Sequence, residues 1–247
     1  MLTPGLSLLR LAFRRSVASA PQSSGVSKKK VECFYDVLSP YSGIGFEIIC
    51  RYRSLWNLDL HLRPVFFMGI LKAIGSQPPA MLPKKGDYIL KDVIRMGKYC
   101  QVPVNLPKDF INAVVVKGSL PAMRFITAVD IAEPQFLESV SRELWMRLWS
   151  RDEDIVQPES ILAVAEKTGL PSDKSQELLK MSTSPDVKNR LKETTDEALK
   201  LGAFGVPSFV IQTDGKPQLF FGSDRVELLG NALGEKWLGP VPTSSKL

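Results

Sequence analysis

The spacing of apolar residues changes its period twice along the chain. Residues 31–38 form a nearly unbroken apolar run, which is typical of a buried strand. Residues 41–56 carry apolar side chains at steps of four, which predicts a helix, and residues 59–67 alternate like a second strand. This strand–helix–strand order predicts two parallel strands joined by a right-handed crossover.

A long helical stretch separates these elements from the last strands. The proline-rich residues 75–86 predict a loop, and from there to about residue 202 the apolar period is helical. Helices are predicted at residues 88–99, 109–117, 120–131, 136–149, 159–167, 174–181 and 186–201. Strands predicted at residues 208–212 and 218–221 flank an Asp-Gly turn, and a closing helix follows at residues 222–233.

This order predicts an α/β protein with a thioredoxin-like fold and an all-helical domain inserted after the second strand. The predicted thioredoxin-like domain is discontinuous and consists of residues 31–86 and 203–238. The helical insert takes residues 87–202. Residues 1–30 are a targeting or disordered extension, and residues 239–247 are a C-terminal tail.

The formal net charge of +6 comes from the first thirty residues. They hold six Arg and Lys residues and no acid; removing these six from the 32 basic residues leaves 26, which the 26 acidic residues balance. Since a nucleic-acid-binding protein carries its excess charge on the folded body, we expect no nucleic acid partner. No apolar run approaches the length of a membrane span.

The two ends of the chain resemble two different targeting signals. Residues 1–30 are rich in Arg, Ser, Ala and Leu, as in a mitochondrial presequence. The terminal Ser245-Lys246-Leu247 is a peroxisomal signal. We therefore expect the protein in the mitochondrial matrix, the peroxisome or both, through alternative starts or dual targeting.

Cysteine and histidine are too sparse for several common chemistries. Cys33, Cys50 and Cys100 form no C-x-x-C pair and no metal-ligand spacing, so we expect reduced thiols and no metal site. The single histidine, His61, lies in the alternating segment and is expected to face solvent. This argues against a zinc site or a Ser-His-Asp triad.

The strongest candidate for chemistry is Ser39-Pro40-Tyr41-Ser42, where the first strand meets the first helix. Ser39 suits the N-cap and Pro40 the first helical position, and the N–H groups there favour a negative charge. A plain helix start is the alternative interpretation. Two distant segments also lie at the boundaries of predicted elements. Phe204-Gly205-Val206-Pro207 comes just before the third strand, and Phe221-Gly222-Ser223-Asp224-Arg225 lies at the start of the last helix.

With these segments the sequence closely resembles the kappa-class glutathione S-transferases, over about residues 31–240. The resemblance is carried by Phe34-Tyr35-Asp36-Val37-Leu38-Ser39-Pro40-Tyr41-Ser42, Lys108-Asp109-Phe110, Ser141-Arg142-Glu143-Leu144-Trp145-Met146-Arg147, Leu191-Lys192-Glu193-Thr194-Thr195, Gly202-Ala203-Phe204-Gly205 and Phe221-Gly222-Ser223-Asp224-Arg225. It implies a homodimer that transfers reduced glutathione, its co-substrate, to small electrophiles, without a further cofactor. Reduction of organic peroxides is left open.

The resemblance also implies roles for single residues. Ser39 would hold the glutathione sulfur as thiolate, and Pro40 and Tyr41 would line the same pocket. Val206, before a cis Pro207, would pair its backbone with that of the tripeptide.

The remaining implied contacts concern the two ends of glutathione. Ser223 and Asp224 would hold the γ-glutamyl end, and Lys85 the glycyl carboxylate. Ser76 stands where the family typically has an asparagine that touches glutathione, so its contact would need a bridging water.

The chain departs from the family just after the serine motif. Family members carry a tryptophan there, and this chain has Gly43-Ile44-Gly45. We therefore expect a wider acceptor pocket whose wall is undefined at Gly43.

Three other functions remain as alternatives. A glutathione-dependent isomerase of the chromene-carboxylate type would use the same thiolate with a different second pocket. A thiol oxidoreductase is disfavoured because serines hold the C-x-x-C positions. A non-enzymatic protein would use the helical domain to bind a partner.

Overall fold

The computed structural model describes residues 27–242. Most of the predicted presequence and the terminal Ser-Lys-Leu lie outside these residues, so both targeting interpretations stay predictions. Within the described range no helix is long and apolar enough to cross a membrane.

The sheet has four strands in the order β2-β1-β3-β4. The strands are β1 (Lys29–Tyr35), β2 (Leu58–Pro64), β3 (Ser208–Thr213) and β4 (Lys216–Phe221). β1 and β2 are parallel, as predicted, and α1 (Pro40–Tyr52) connects them. β3 runs antiparallel to β1 and forms the predicted hairpin with β4. This is the predicted thioredoxin-like arrangement.

Eight further helices complete the described part of the chain. They are α2 (Phe67–Ala73), α3 (Pro83–Cys100), α4 (Leu120–Ala132), α5 (Leu137–Ser150), α6 (Pro158–Lys167), α7 (Ser172–Met181), α8 (Pro185–Lys200) and α9 (Val226–Ala232). The predicted helix at residues 109–117 is a π-helical segment, Ile111–Lys117. Short 3₁₀ turns occur at Pro79–Met81, Pro134–Phe136 and Ser223–Arg225.

Three predicted boundaries differ from the structure, one after β1, one after β2 and one at the start of α3. β1 ends at Tyr35 instead of residue 38, because the Asp36 carboxylate accepts the Leu38 N–H and turns the chain out of the sheet. The apolar segment after Pro64 forms α2 and does not extend β2. The loop predicted to reach residue 86 ends earlier, since α3 begins at Pro83, and the predicted domain boundary falls inside this helix.

One hydrophobic core joins the sheet to the inserted helices. It contains Tyr35 and Phe209 from the sheet together with Met123, Phe125 and Trp145 from α4 and α5. The inserted helices therefore pack directly against the sheet and contribute to the same core. His61 is exposed on β2, as predicted, and the three cysteines are free.

Candidate active site

Ser39 caps the first helix, as its position in the sequence predicted. Its backbone is extended (φ −91°, ψ 115°), and its Oγ accepts the N–H of Ser42 at 3.1 Å. The hydroxyl proton points to the carbonyl oxygen of Val206, at 3.4 Å. That distance is long for an O–H···O bond, so the proton is free to turn to a better acceptor at small cost.

The loop before the third strand comes directly against this helix start. The peptide bond between Val206 and Pro207 is cis, as the resemblance implied. Gly45 lies between α1 and this loop, since a Cβ built on it would be 3.1 Å from Pro207 Cγ and 3.4 Å from Ser223 Cα. The missing side chain at residue 45 therefore lets α1, the cis-proline loop and the Ser223 segment meet.

These three segments line a single cavity of about 660 Å³. Eight of the nine residues predicted for the site line it, namely Ser39, Pro40, Tyr41, Ser76, Val206, Pro207, Ser223 and Asp224. Ser76 lies at the exposed edge, and its hydroxyl lies 3.5 Å from the carbonyl oxygen of its neighbour Gln77.

Lys85 is the predicted site residue that does not line the cavity. It is exposed on the first turn of α3, one helical turn before Tyr88 and Ile89, which do line it. Residues three and four apart share a helix face. Lys85 therefore lies on the cavity side of α3 but outside the wall, so its predicted role toward a carboxylate stays a prediction.

A carboxylate that the sequence reading missed sits opposite Tyr41. The Tyr41 phenol donates to Asp92 Oδ2 at 2.7 Å, and the Tyr88 phenol donates to Asp92 Oδ1 at 3.2 Å. Burial and the neighbouring Asp92 raise the pKa of Tyr41 well above its ordinary value, so this phenol stays a neutral donor. Tyr88 and Asp92 are four residues apart on one predicted helix, which is the signal that could have paired them.

The far side of the cavity is apolar. Its wall comes from α2, α3, α5 and the π-helical segment and includes Phe67, Met68, Leu71, Val93, Met96, Phe110, Val114 and Trp149. At the mouth, the rings of Phe204 and Phe221 lie 4.4 Å apart and are about half exposed. Among the described residues that line the cavity, the charged ones are Asp92 and Asp224.

A second carboxylate, Asp36, lies fully buried beneath Ser39. Its Oδ1 accepts the Leu38 N–H at 2.8 Å, and its Oδ2 accepts the Phe67 N–H at 2.8 Å and the Ser119 hydroxyl at 3.0 Å. Burial raises the pKa of Asp36 to about 6, against the opposing effect of these donors. Asp36 thereby ties the Ser39 loop to the start of α2, which carries part of the apolar wall.

The family of this chain follows from its similarity to known proteins. Residues 30–234 match the family model of the DSBA-like thioredoxin domain. Glutathione S-transferase kappa 1 of Homo sapiens is 53% identical over 218 residues, which cover 88% of this chain and 96% of the relative. The Rattus norvegicus protein of the same name is 54% identical over the same shares. The chain belongs to the kappa class of glutathione S-transferases.

Solved structures at low identity share the fold of this kappa-class chain. A 2-hydroxychromene-2-carboxylate isomerase is 21% identical with a TM-score of 0.68, covering 83% of this chain and 94% of that one. The cytosolic disulfide reductase DsbM from Pseudomonas aeruginosa is 14% identical with a TM-score of 0.60, covering 83% and 95%.

The kappa-class site differs from a disulfide-exchange site in its lack of thiols. Ser39 and Ser42 hold the two positions of a C-x-x-C motif, and no cysteine of residues 27–242 lines the cavity. A mixed disulfide needs a protein thiolate at this place. The thioredoxin-like scaffold is therefore used here without its usual nucleophile.

The expectation of an open pocket wall at Gly43 is wrong. Gly43 is buried and does not line the cavity. A Cβ built on it would lie 3.0 Å from Cδ1 of Trp145, so the indole of Trp145 occupies the space beside this glycine. The contact joins residues 102 positions apart in the chain, which the sequence pattern gives no means of pairing.

Proposed function

We propose that this kappa-class transferase conjugates reduced glutathione to small, apolar electrophiles and holds the glutathione sulfur as a thiolate against Ser39. The observation that carries the proposal is the convergence of the Ser39 hydroxyl, the Val206–Pro207 loop and the Ser223–Asp224 turn on one cavity. A hydroxyl donor at a helix start suits a sulfur anion, and the two distant segments suit the rest of a tripeptide.

A hydrogen bond from Ser39 and its place at a helix N-terminus can supply the free energy needed to hold glutathione as a thiolate. A free thiol has a pKa of about 8.5, and lowering it by roughly two units needs about 2.7 kcal/mol in favour of the anion. A hydrogen bond to a charged group contributes about 1.5–3 kcal/mol, and a helix N-terminus about 0.3–1 kcal/mol. Because Oγ already accepts the Ser42 N–H, its proton is the part that turns from Val206 to the sulfur.

The remaining groups of glutathione find matching chemistry in the two distant segments. The Val206 backbone offers peptide groups for the tripeptide backbone, and the Asp224 carboxylate offers a partner for the ammonium group. The side chain of Asp224 is about half exposed, so such a pair forms at the mouth of the cavity. The N–H groups of Ser223 and Asp224 would receive the carboxylate of the γ-glutamyl end, since those of Gly222 and Arg225 already donate to backbone carbonyls.

The apolar wall supports transfer to an uncharged acceptor over isomerisation of a chromene carboxylate. None of the described residues lining the cavity is Lys, Arg or His, and the Asp92 carboxylate beside Tyr41 would repel the carboxylate of such a substrate. Phe67, Met68 and Met96 instead suit an aromatic or alkyl group.

The test is an ultraviolet titration of enzyme-bound glutathione, together with conjugation of a neutral aryl halide. In the wild type we expect thiolate absorbance near neutral pH, and in Ser39→Ala we expect the thiol pKa to return toward about 8.5. Ser42→Ala is the matched control, since it removes a buried hydroxyl one turn along the same helix and keeps the N–H that Ser39 accepts. Absence of a thiolate in the wild type would refute the proposal.

We also propose that the protein works as a homodimer. Apolar side chains that line the cavity and are left exposed support this, since Phe204, Phe221 and Val115 are 40–50% exposed. Light scattering after gel filtration tests it: a dimer is expected for the wild type, and a monomer at micromolar concentration would contradict it.

For localisation, we propose the mitochondrial matrix, the peroxisome or both, through the two terminal signals. Imaging of the full chain and of a chain lacking Ser245-Lys246-Leu247 separates them. If the shortened chain is still found in peroxisomes, the terminal Ser-Lys-Leu is not the targeting signal.

A further inference from the structure

Two tryptophans of α5 face the loop that carries Ser39. The indole N–H of Trp145 donates to the Ser39 carbonyl oxygen at 3.1 Å, and the indole N–H of Trp149 donates to the Val37 carbonyl oxygen at 3.0 Å. The two side chains are buried and are one helical turn apart, so they project from the same face of α5.

We propose that Trp145 and Trp149 are positioning residues for the thiolate site. Their indole N–H groups hold the Ser39 and Val37 carbonyl groups, respectively, and thereby fix the orientation of Ser39. The inference rests on the proposed function, because it concerns the direction in which the Ser39 hydroxyl points. Trp145 touches the residue that holds the sulfur without lining the cavity itself.

The loop is held from opposite sides by different parts of the chain. On the amide side, the Leu38 N–H goes to the Asp36 carboxylate and the Ser39 N–H to the Asp36 carbonyl, at 2.8 and 3.1 Å. On the carbonyl side stand the two indoles. The peptide units on both sides of Ser39 are therefore fixed, through its N–H and its carbonyl, and with them the direction of the Ser39 Cα–Cβ bond.

The Ser39 carbonyl is shared between the helix and the indole. It also accepts the N–H of Gly43 at 3.3 Å, which is the first hydrogen bond of α1. Loss of the indole N–H thus leaves this carbonyl with a partner, and the chain is expected to fold. What is lost is the second anchor, which holds the start of α1 against α5.

The Trp145 ring is itself locked in place. It packs against Tyr35 and Phe46 at centroid distances of 5.3 and 4.8 Å, and the Tyr35 hydroxyl is hydrogen-bonded to Ser141 Oγ at 2.7 Å. On its remaining side the ring fills the space that Gly43 leaves open. Phenylalanine would keep most of this packing but has no N–H to donate.

Trp145 is a better residue to substitute than Trp149, because it does not line the cavity. Trp149 also lines the cavity, so a change there alters the acceptor wall as well. The test therefore compares Trp145→Phe with Trp56→Phe. Trp56 is equally buried and donates its indole N–H to the Lys236 carbonyl at 3.0 Å, away from the cavity.

The measurements are the pKa of enzyme-bound glutathione from thiolate absorbance, the Kd of glutathione from calorimetry, and kcat with a neutral aryl halide. For Trp145→Phe we expect the thiol pKa to rise by about half a unit or more and kcat/KM at neutral pH to fall about three- to tenfold, the size of one lost hydrogen bond. The Kd of the thiol form, measured at a pH below the bound pKa, should change less than about twofold. Trp56→Phe should match the wild type in all three.

Gly43→Ala is the second variant, and it keeps the indole. The added Cβ pushes the Trp145 ring away, so we expect a higher thiol pKa even though alanine favours the helix. The inference is overturned if both Trp145→Phe and Gly43→Ala titrate like the wild type, or if Trp56→Phe shifts the pKa as far. A wild type without a thiolate would instead refute the proposed function.

Discussion

The buried carboxylate of Asp36 should contribute a pH-dependent part of the stability of this protein. Two opposing effects act on it. Burial disfavours its charged form, while the N–H groups of Leu38 and Phe67 and the hydroxyl of Ser119 favour it. Burial is the larger effect and raises the pKa from 3.8 to about 6.

The size of the effect follows from this shift. A difference of about two pKa units between the unfolded and folded chain corresponds to about 3 kcal/mol. Because the folded pKa is the higher one, protonated Asp36 stabilises the fold. This contribution is complete below about pH 4, is lost as the pH rises to about 6, and stays absent above that. In the acid form the Ser119 hydroxyl can turn and accept the new proton.

The assay is urea unfolding of the wild type and Asp36→Asn between about pH 4 and pH 8. Asparagine does not titrate, and it turns one acceptor oxygen into a donor that faces the Leu38 or Phe67 N–H. The variant therefore carries a constant penalty of about 1–3 kcal/mol. On top of this offset, we expect the wild type to lose about 3 kcal/mol relative to the variant between about pH 4 and pH 6.5.

Ser119→Ala serves as the companion variant. It removes one of the three donors, so the pKa of Asp36 should rise further and the loss of stability should extend to higher pH. A difference between wild type and Asp36→Asn that stays constant with pH would refute the reasoning, since burial and hydrogen bonding would then balance. A wild type that gains stability relative to Asp36→Asn as the pH rises would show that the hydrogen bonds outweigh burial.

Two further substitutions probe other contacts of the site. Asp92→Asn removes the charge beside Tyr41, so the pKa of Tyr41 should fall toward 10, read from phenolate absorbance; an unchanged pKa would mean that burial alone raises it. Gly45→Val places a side chain against Pro207, so unfolding in urea should show a loss of about 1–3 kcal/mol and calorimetry a weaker affinity for glutathione. Wild-type affinity in that variant would show that α1 need not touch the cis-proline loop.

Local chemistry accounts for most of what the sequence predicted correctly. The cap at Ser39 and the Asp-Gly hairpin are specified by neighbours within four residues, and so were found at their observed positions. The convergence of Val206–Pro207 and Ser223 on Ser39 follows from strand order once β1 and β3 are paired. The cis geometry of Pro207 rested on the family resemblance alone, because sequence context does not distinguish it from a trans bond.

The parts that were missed depend on contacts between distant residues. α2 follows β2 without a polar break, and the N–H of its first residue, Phe67, is held by Asp36, 31 residues earlier. The local periodicity therefore predicted that the strand continues through this segment. The hydrogen bond between Tyr41 and Asp92 likewise joins α1 to α3 across the proline-rich loop. Its partners carry no local signal for each other.

The thioredoxin-like domain and the helical insert are separate in chain order, but hydrogen bonds at the candidate site join them. The Ser39 carbonyl begins the hydrogen-bond ladder of α1 and also accepts an indole N–H from α5. Asp36, at the end of β1, accepts from α2 and from Ser119 just before α4. Without the inserted helices, the carbonyl of Val37 would lose its indole donor, and Asp36 would lose the Ser119 hydroxyl, one of the three donors that stabilise its charge. The geometry of the serine therefore depends on both parts, and a thioredoxin-like unit alone would not hold this site.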